Sequence, residues 1–323
     1  MEIRRSGSKM RNQGWIKTIG DHRLSRREFL RGSATGIMLA SAFSKELLAQ
    51  KAAKTAADQV ALGETGVRLS RLGIGTGTNS GSLLRRLGRE KFNDLIRYAF
   101  DKGITYIDTA DSYQTHTWVR DAIRGLPREK LYIQSKMTYA GRLGNSENPS
   151  ETLDRFRKEL NVDYIDTVLI HCQIAPNWDA QSKALTDALE QAKQKRIIRA
   201  HGVSCHSLPA TKRAAELDWV DVNLVRINPQ GANMDTQELA VFGTSNASHV
   251  PAVVEQLKVM KKNGHGVIGM KLIGEGKFKN IEERKKSLAW VMRSNIVDAV
   301  VIGLKSREEI DEAILHINNA FAD

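Results

Sequence analysis

With 323 residues, 41% of them hydrophobic, the chain has enough apolar content for one large α/β domain or two small ones. Its net charge of +12 is unevenly spread: residues 1–50 carry ten Lys/Arg against four Asp/Glu, and the rest carry 39 against 33. A body this mildly basic, with no aromatic-interleaved basic run, excludes nucleic acid as an expected partner.

The N-terminal charge belongs to "SRREFLRG" (residues 25–32), which leads into the short, moderately apolar "SATGIMLASAF". A basic segment, paired arginines and a modest apolar run form the pattern of a processed export signal. The segment resembles a bacterial twin-arginine signal, with Arg26 and Arg27 as the pair and Phe29 and Leu30 after them. That resemblance implies the twin-arginine export machinery as a partner and a periplasmic or otherwise exported location. The apolar run is too short to span a bilayer, so no stable membrane span is expected. A basic amphipathic helix on a soluble protein is the competing reading. Residues 1–55 are therefore set aside as signal and linker, and residues 56–323 are taken as the folded domain.

That domain opens with a hairpin pattern, "VALGETGVRLS", turning at Gly63 and Gly66. The run "RLGIGTG" precedes a helix in "REKFNDLIRYAFDKG", where Phe92, Leu95, Ile96 and Phe100 recur near helical spacing. "TYIDTAD", "LYIQSKM", "DYIDTVLIH", "IRAHGVSCH", "DVNLVRIN", "GVIGMKL" and "DAVVIGL" are each followed by a helical pattern. About eight strand–helix units in this length predict a (β/α)8 TIM barrel with an N-terminal β-hairpin. A doubly wound open sheet shares the alternation and is the alternative. "GIGTGTNSG" is glycine-rich, but Thr78 stands where a dinucleotide fingerprint needs its last glycine. It reads as a tight loop at the barrel rim.

In a parallel barrel, functional groups gather where strands end. Those ends carry Asp108 and Tyr113, then Lys136, then His171, with Ser204 and Asn228 further on. A tyrosine titrates near ~10 and is a weak acid at neutral pH. A neighbouring ammonium favours the phenolate and should lower that value. A carboxylate can hold the ammonium, and an imidazole can orient a carbonyl, so the set suits carbonyl reduction with proton transfer to oxygen. Each residue also has a plainer role. Asp108 could cap its strand, Lys136 could be its buried partner, and His171 could be a satisfied core histidine. Asp111 fits a local cap and His116 a helix start. A metal held by Asp108, Asp111, His116 and His171 lacks any supporting spacing, and no metal is expected.

From residue 62 to about residue 319 the chain resembles the aldo-keto reductases. The likeness rests on "LGETGVRLSRLGIGTG", on the Asp–(four residues)–Tyr pattern of "YIDTADSY", and on Lys136 and His171 at the matching strand ends. The resemblance implies that Tyr113 is the proton donor, that Asp108 and Lys136 tune it, and that His171 positions the carbonyl of a small-molecule carbonyl or alcohol substrate. It also implies a nicotinamide cofactor across the barrel mouth, NADP(H) first and NAD(H) second. Ser204 matches a carboxamide ligand, while Cys205 stands for the Asn beside it, Leu224 for a Gln, and Met270 for a stacking aromatic. Lys305, Ser306 and Glu312 align with the segment that holds the adenosine phosphate. There Ala313 replaces an Asn, and acidic residues replace an arginine often found nearby. A barrel that keeps the acid/base set but alters the cofactor ligands also fits an exported binding or accessory protein without catalysis. The long segment after strand six is expected to supply a lid. Cys172 and Cys205 fall at neighbouring strand ends and are read as semi-buried thiols, with a disulfide as the alternative.

Overall fold

A computed structural model describes residues 54–138 and 148–322, all within one compact unit, Ala53–Asp323. The export-signal expectation, apart from residues 54 and 55, falls outside the described residues. No helix among the described residues is long and apolar enough to cross a membrane.

Two short strands, β1 (Gln59–Ala61) and β2 (Arg68–Ser70), pair antiparallel as the expected hairpin. Gly63 and Gly66 turn it with φ of 51° and 71°, backbone that suits a residue without Cβ. Leu62, Val67 and Leu69 pack against the interior residues Tyr106 and Tyr132. The Glu64 amide donates to the Gly264 carbonyl, so the hairpin closes the end of the barrel where the strands begin.

Eight parallel strands follow: β3 (Leu72–Gly75), β4 (Tyr106–Asp108), β5 (Tyr132–Thr138), β6 (Ile165–Gln173), β7 (Ile198–Cys205), β8 (Val222–Arg226), β9 (Gly266–Met270) and β10 (Ala299–Ile302). They form a closed barrel in chain order, sealed by pairing of β10 with β3. The open-sheet alternative is thereby excluded. The helices that follow each strand are α1 (Arg89–Asp101), α2 (His116–Ile123), α3 (Pro149–Leu160), α4 (Lys183–Gln194), α5 (Leu208–Glu216), α6 (Val250–Lys262), α7 (Ile281–Ser294) and α8 (Arg307–Asn319).

Helix starts obey local chemistry. Asn148 caps α3 ahead of Pro149, Asn280 and Glu283 form a capping box on α7, and Ser306 accepts the Glu309 amide at α8. Each helix lays an apolar stripe on the barrel. In α1 this is Phe92, Leu95, Ile96 and Ala99, with Phe100 only partly buried. In α3 it is Leu153, Phe156 and Leu160. Fully burying one such side chain stabilises by roughly 1.5–3 kcal/mol.

Strand alternation then decides which residues reach the barrel interior. Ile107 and Ile133 face the helices, so Tyr106, Asp108, Tyr132, Gln134 and Lys136 face inward. The barrel is crowded there. A Cβ at Gly73 would lie 2.1 Å from the Tyr106 ring, and one at Gly77 would lie 2.4 Å from the Tyr113 ring. The glycines of "GIGTGTNSG" thus admit two tyrosines rather than a phosphate.

Candidate active site

The register places the strand ends side by side: Gly75 opposite Asp108, Asp108 opposite Gln134, and Thr138 opposite His171. Asp108 and Lys136 are both buried, at 5% and 1% exposure. Lys136 Nζ donates to Asp108 Oδ1 at 2.5 Å and to the Thr109 carbonyl at 2.9 Å. Gln134 Nε2 donates to the same carboxylate oxygen at 2.8 Å and to the Tyr106 hydroxyl at 3.0 Å. Two of the three ammonium N–H groups are thereby engaged. The ammonium itself lies 4.8 Å from the centroid of the Tyr113 ring.

Tyr113 ends a single 3-10 turn, Asp111–Tyr113, directly beyond β4. Its hydroxyl is 3.4 Å from His171 Nε2, and Ser112 Oγ is 3.4 Å from His171 Nδ1. The structure therefore brings Asp108, Tyr113, Lys136 and His171 into one cluster. It differs on electrostatics. Burial is the largest cause of a Tyr113 pKa well above the ordinary tyrosine value, and Asp108, Cys172 and Glu275 add to it. The net direction is thus opposite to the lowering expected from Lys136, because burial dominates. Burial also lowers the Lys136 pKa, against the pull of Asp108.

Asp111 and His116 belong to a separate polar group. Arg155 donates to both Asp111 carboxylate oxygens, at 2.9 and 3.0 Å, and to Glu159 at 3.1 Å. His116 bridges Glu159 and Ser135 at 2.7 and 2.8 Å. Asp111, His116 and Glu159 are close enough to share a cation, but the Arg155 guanidinium already occupies that position. Neither Asp108 nor His171 joins this group.

A cleft of about 460 Å³ opens over the cluster, walled by Gly77, Asp108, Tyr113, Leu224 and Met270. It continues past Lys271 and Glu275 to Arg284, Lys305, Glu309 and Glu312, with Ala313 also on its wall. A second cavity, of about 590 Å³, lies between the ends of α2 and α3 and holds none of the expected site residues. Arg120, Arg124 and Arg157 on its wall sit at helix C-termini, where basic side chains compensate the helix dipole, and Arg128 pairs with Asp166.

The expected cofactor residues divide. Ser204 faces the interior, pairs in register with Leu224, and its buried Oγ has no hydrogen-bond partner among the described residues. Leu224 and Met270 give the cleft an apolar floor. Cys205 does not join them. It follows Ser204, so alternation turns it outward, into the layer between barrel and helices and against Thr211. Cys172 and Cys205 are not joined in a disulfide. Ser306 caps α8, while Lys305 and Glu312 line the cleft. An unpartnered buried hydroxyl, an apolar floor and a tight glycine loop beside Tyr113 fit a nicotinamide ring.

The structure adds residues that sequence reading passed over: Gln134, Lys271, Glu275, Arg284 and Glu309. Gln134 was within reach, since it lies two positions before Lys136 on the same strand face. Lys271 and Glu275 form a 2.7 Å ion pair, both on left-handed backbone, at φ of 63° and 54°. The segment expected to be a lid contributes nothing to the cleft wall. Arg226, fully buried, holds it from below through Asp235 at 2.5 Å and the Val241 carbonyl at 2.6 Å. Its Asn233 in turn donates to the Gly274 carbonyl at 3.3 Å.

The model for the Aldo/keto reductase family matches residues 71–287. Methylglyoxal reductase DkgB of Escherichia coli O157:H7 is 31% identical over 160 residues, which is 48% of this chain and 58% of that protein. NADH-specific methylglyoxal reductase of E. coli K12 is 24% identical over 315 residues, 82% of this chain and 95% of the relative. The chain spans 35%, 58% and 45% of the length of the first curated relatives it matches. A solved aldo-keto reductase from Pseudomonas aeruginosa superimposes with a TM-score of 0.66 at 22% identity, over 83% of this chain and 98% of that one. At that identity the likeness speaks for the fold.

Proposed function

The chain belongs to the aldo/keto reductase family, and from that premise we propose that it is an oxidoreductase that interconverts carbonyl and alcohol using NADP(H) or NAD(H). The observation that carries this reading is the Tyr113–Lys136–Asp108–His171 cluster, whose Tyr113 and Asp108 open into the cleft beside Leu224 and Met270. When bound, the dinucleotide supplies the hydride for the carbonyl carbon. The chain's own residues do the rest. Burial and the nearby carboxylates keep the Tyr113 phenol protonated at neutral pH, ready to donate to the substrate oxygen. His171 Nε2, 3.4 Å from the phenol oxygen, marks where that carbonyl is held. As the proton leaves Tyr113, the Lys136 ammonium balances the phenolate, and Asp108 with Thr109 keeps the ammonium in place. Leu224 and Met270 exclude water from the reacting face.

The names of two relatives point to methylglyoxal as a first substrate to try. Consumption of NADH or NADPH with a panel of small aldehydes and ketones tests the reading. Tyr113→Phe should abolish turnover while leaving dinucleotide affinity nearly unchanged, and unchanged turnover would sink the mechanism. A second reading, a binding protein without catalysis, draws on Leu224 and outward-facing Cys205 in place of amide-binding side chains. It predicts a folded chain that binds neither dinucleotide. Export is also proposed, on the strength of Arg26 and Arg27. Replacing both with Lys should retain the protein in the cytoplasm, and an unaltered distribution would refute that route.

A further inference from the structure

The cleft has two chemically different ends. Tyr113 fixes the end where hydride must arrive, so a dinucleotide lying along the cleft carries its adenosine half toward Lys305, Glu309 and Glu312. Lys305, by resemblance the phosphate ligand, is not free to act as one. Glu309 Oε2 accepts the Lys305 backbone N–H at 2.9 Å, and Glu309 Oε1 lies 3.6 Å from Lys305 Nζ. A carboxylate thus sits beside Lys305, just ahead of the start of α8.

Arg284 is committed in the same way. Its Nε and Nη2 grip Glu312 in a fork at 2.6 and 3.0 Å, and Nη1 donates to the Phe278 and Lys279 carbonyls at 3.2 and 2.8 Å. Four of its five N–H groups are therefore engaged. Midway along the cleft, Lys271 is paired with Glu275. Each of these three cations has its own carboxylate partner, Lys305 loosely at 3.6 Å, and exposed Lys279 is the remaining basic residue on that wall.

We infer that Glu309 and Glu312 select the dinucleotide whose adenosine ribose carries a free 2′-hydroxyl, so that the enzyme uses NAD(H) in preference to NADP(H). A ribose hydroxyl donates to a carboxylate, as acidic residues do at other NAD sites, whereas a 2′-phosphate normally needs an unpaired arginine. Here a phosphate would bring about −1.5 to −2 charges beside carboxylates that already hold Lys305 and Arg284, and would have to break the Arg284–Glu312 fork to gain an arginine partner. The order implied by the family resemblance is reversed. The inference rests on the dinucleotide reading above and fails separately from it.

Equilibrium titration of the full chain with NADH and NADPH, followed by tryptophan fluorescence or calorimetry, tests it. NADH should bind at least about tenfold more tightly, a ratio of one decade in Kd. Glu309→Gln should narrow the ratio by strengthening NADPH binding, and Glu312→Gln should narrow it further by releasing Arg284. Because Glu309 is only half-buried, its variant keeps the test valid if Glu312→Gln folds poorly. Equal or tighter binding of NADPH, or an unchanged ratio in Glu309→Gln, overturns the inference and leaves the dinucleotide reading standing. Binding of neither by the folded protein overturns both.

Discussion

Replacing Lys136 with Met separates what the buried ion pair does for the fold from what it does for the site. Lys136 and Asp108 are 1% and 5% exposed, so removing the ammonium leaves a carboxylate with Gln134 as its one remaining side-chain donor in the cluster. Breaking a buried pair by removing one partner costs about 3–5 kcal/mol. Removing both charges costs much less. In Asp108→Asn/Lys136→Met, the amide oxygen still accepts from Gln134, and the clearest loss is the bond to the Thr109 carbonyl, about 1 kcal/mol. Chemical denaturation followed by circular dichroism should show the single variant destabilised by at least about 2 kcal/mol more than the double. Carbonyl reduction should be lost in both, because neither retains the cation that balances the Tyr113 phenolate. A double variant as unstable as the single would refute the charge argument. Near-normal turnover in the double would remove the pair from the mechanism.

The raised Tyr113 pKa fixes a pH dependence with a definite sign. Reduction needs the protonated phenol, so its rate should stay level through neutral pH and fall only above the ordinary tyrosine value near ~10. Oxidation of an alcohol needs the phenolate and should rise with pH throughout that range. Asp108→Asn removes a group that raises the pKa, so the alkaline fall should move to lower pH; a shift upward in kcat against pH contradicts the assignment. Gly77→Ala should cut turnover at least tenfold with modest loss of stability, since its Cβ would lie 2.4 Å from the Tyr113 ring, and normal kcat would refute the close fit. Asp235→Ala strands fully buried Arg226 and should cost about 3–5 kcal/mol by denaturation; a loss under 1 kcal/mol would show that the segment after β8 is held by other contacts.

The barrel was legible because its signals are local and repeated. Strand runs and helical stripes recur eight times, and caps such as Asn148 and Ser306 mark helix starts. The grouping of the candidate site's side chains was legible because a parallel barrel turns position at a strand end into position in space. Asp108, Lys136 and His171 needed no further information to be brought together. Two details were mistaken. Cys205 was grouped with Ser204 although strand alternation puts adjacent residues on opposite faces. Burial of Tyr113, which residue type at a strand end does not show, outweighs the acidifying effect expected of Lys136.

The far end of the cleft was hidden for a different reason. Lys305 looked like a phosphate ligand because residue type shows which charge is present, not whether it is already spent. The partners that neutralise the cleft cations lie at 4, 4 and 28 positions along the chain: Lys305 with Glu309, Lys271 with Glu275, and Arg284 with Glu312. The first two spacings are short enough to read in sequence, as one turn of helix or a tight loop. The third depends on α7 and α8 packing side by side, which only the closed barrel fixes. If the proposed preference for NAD(H) holds, it is a property of paired charge, and changing one carboxylate should alter it more than adding another lysine would.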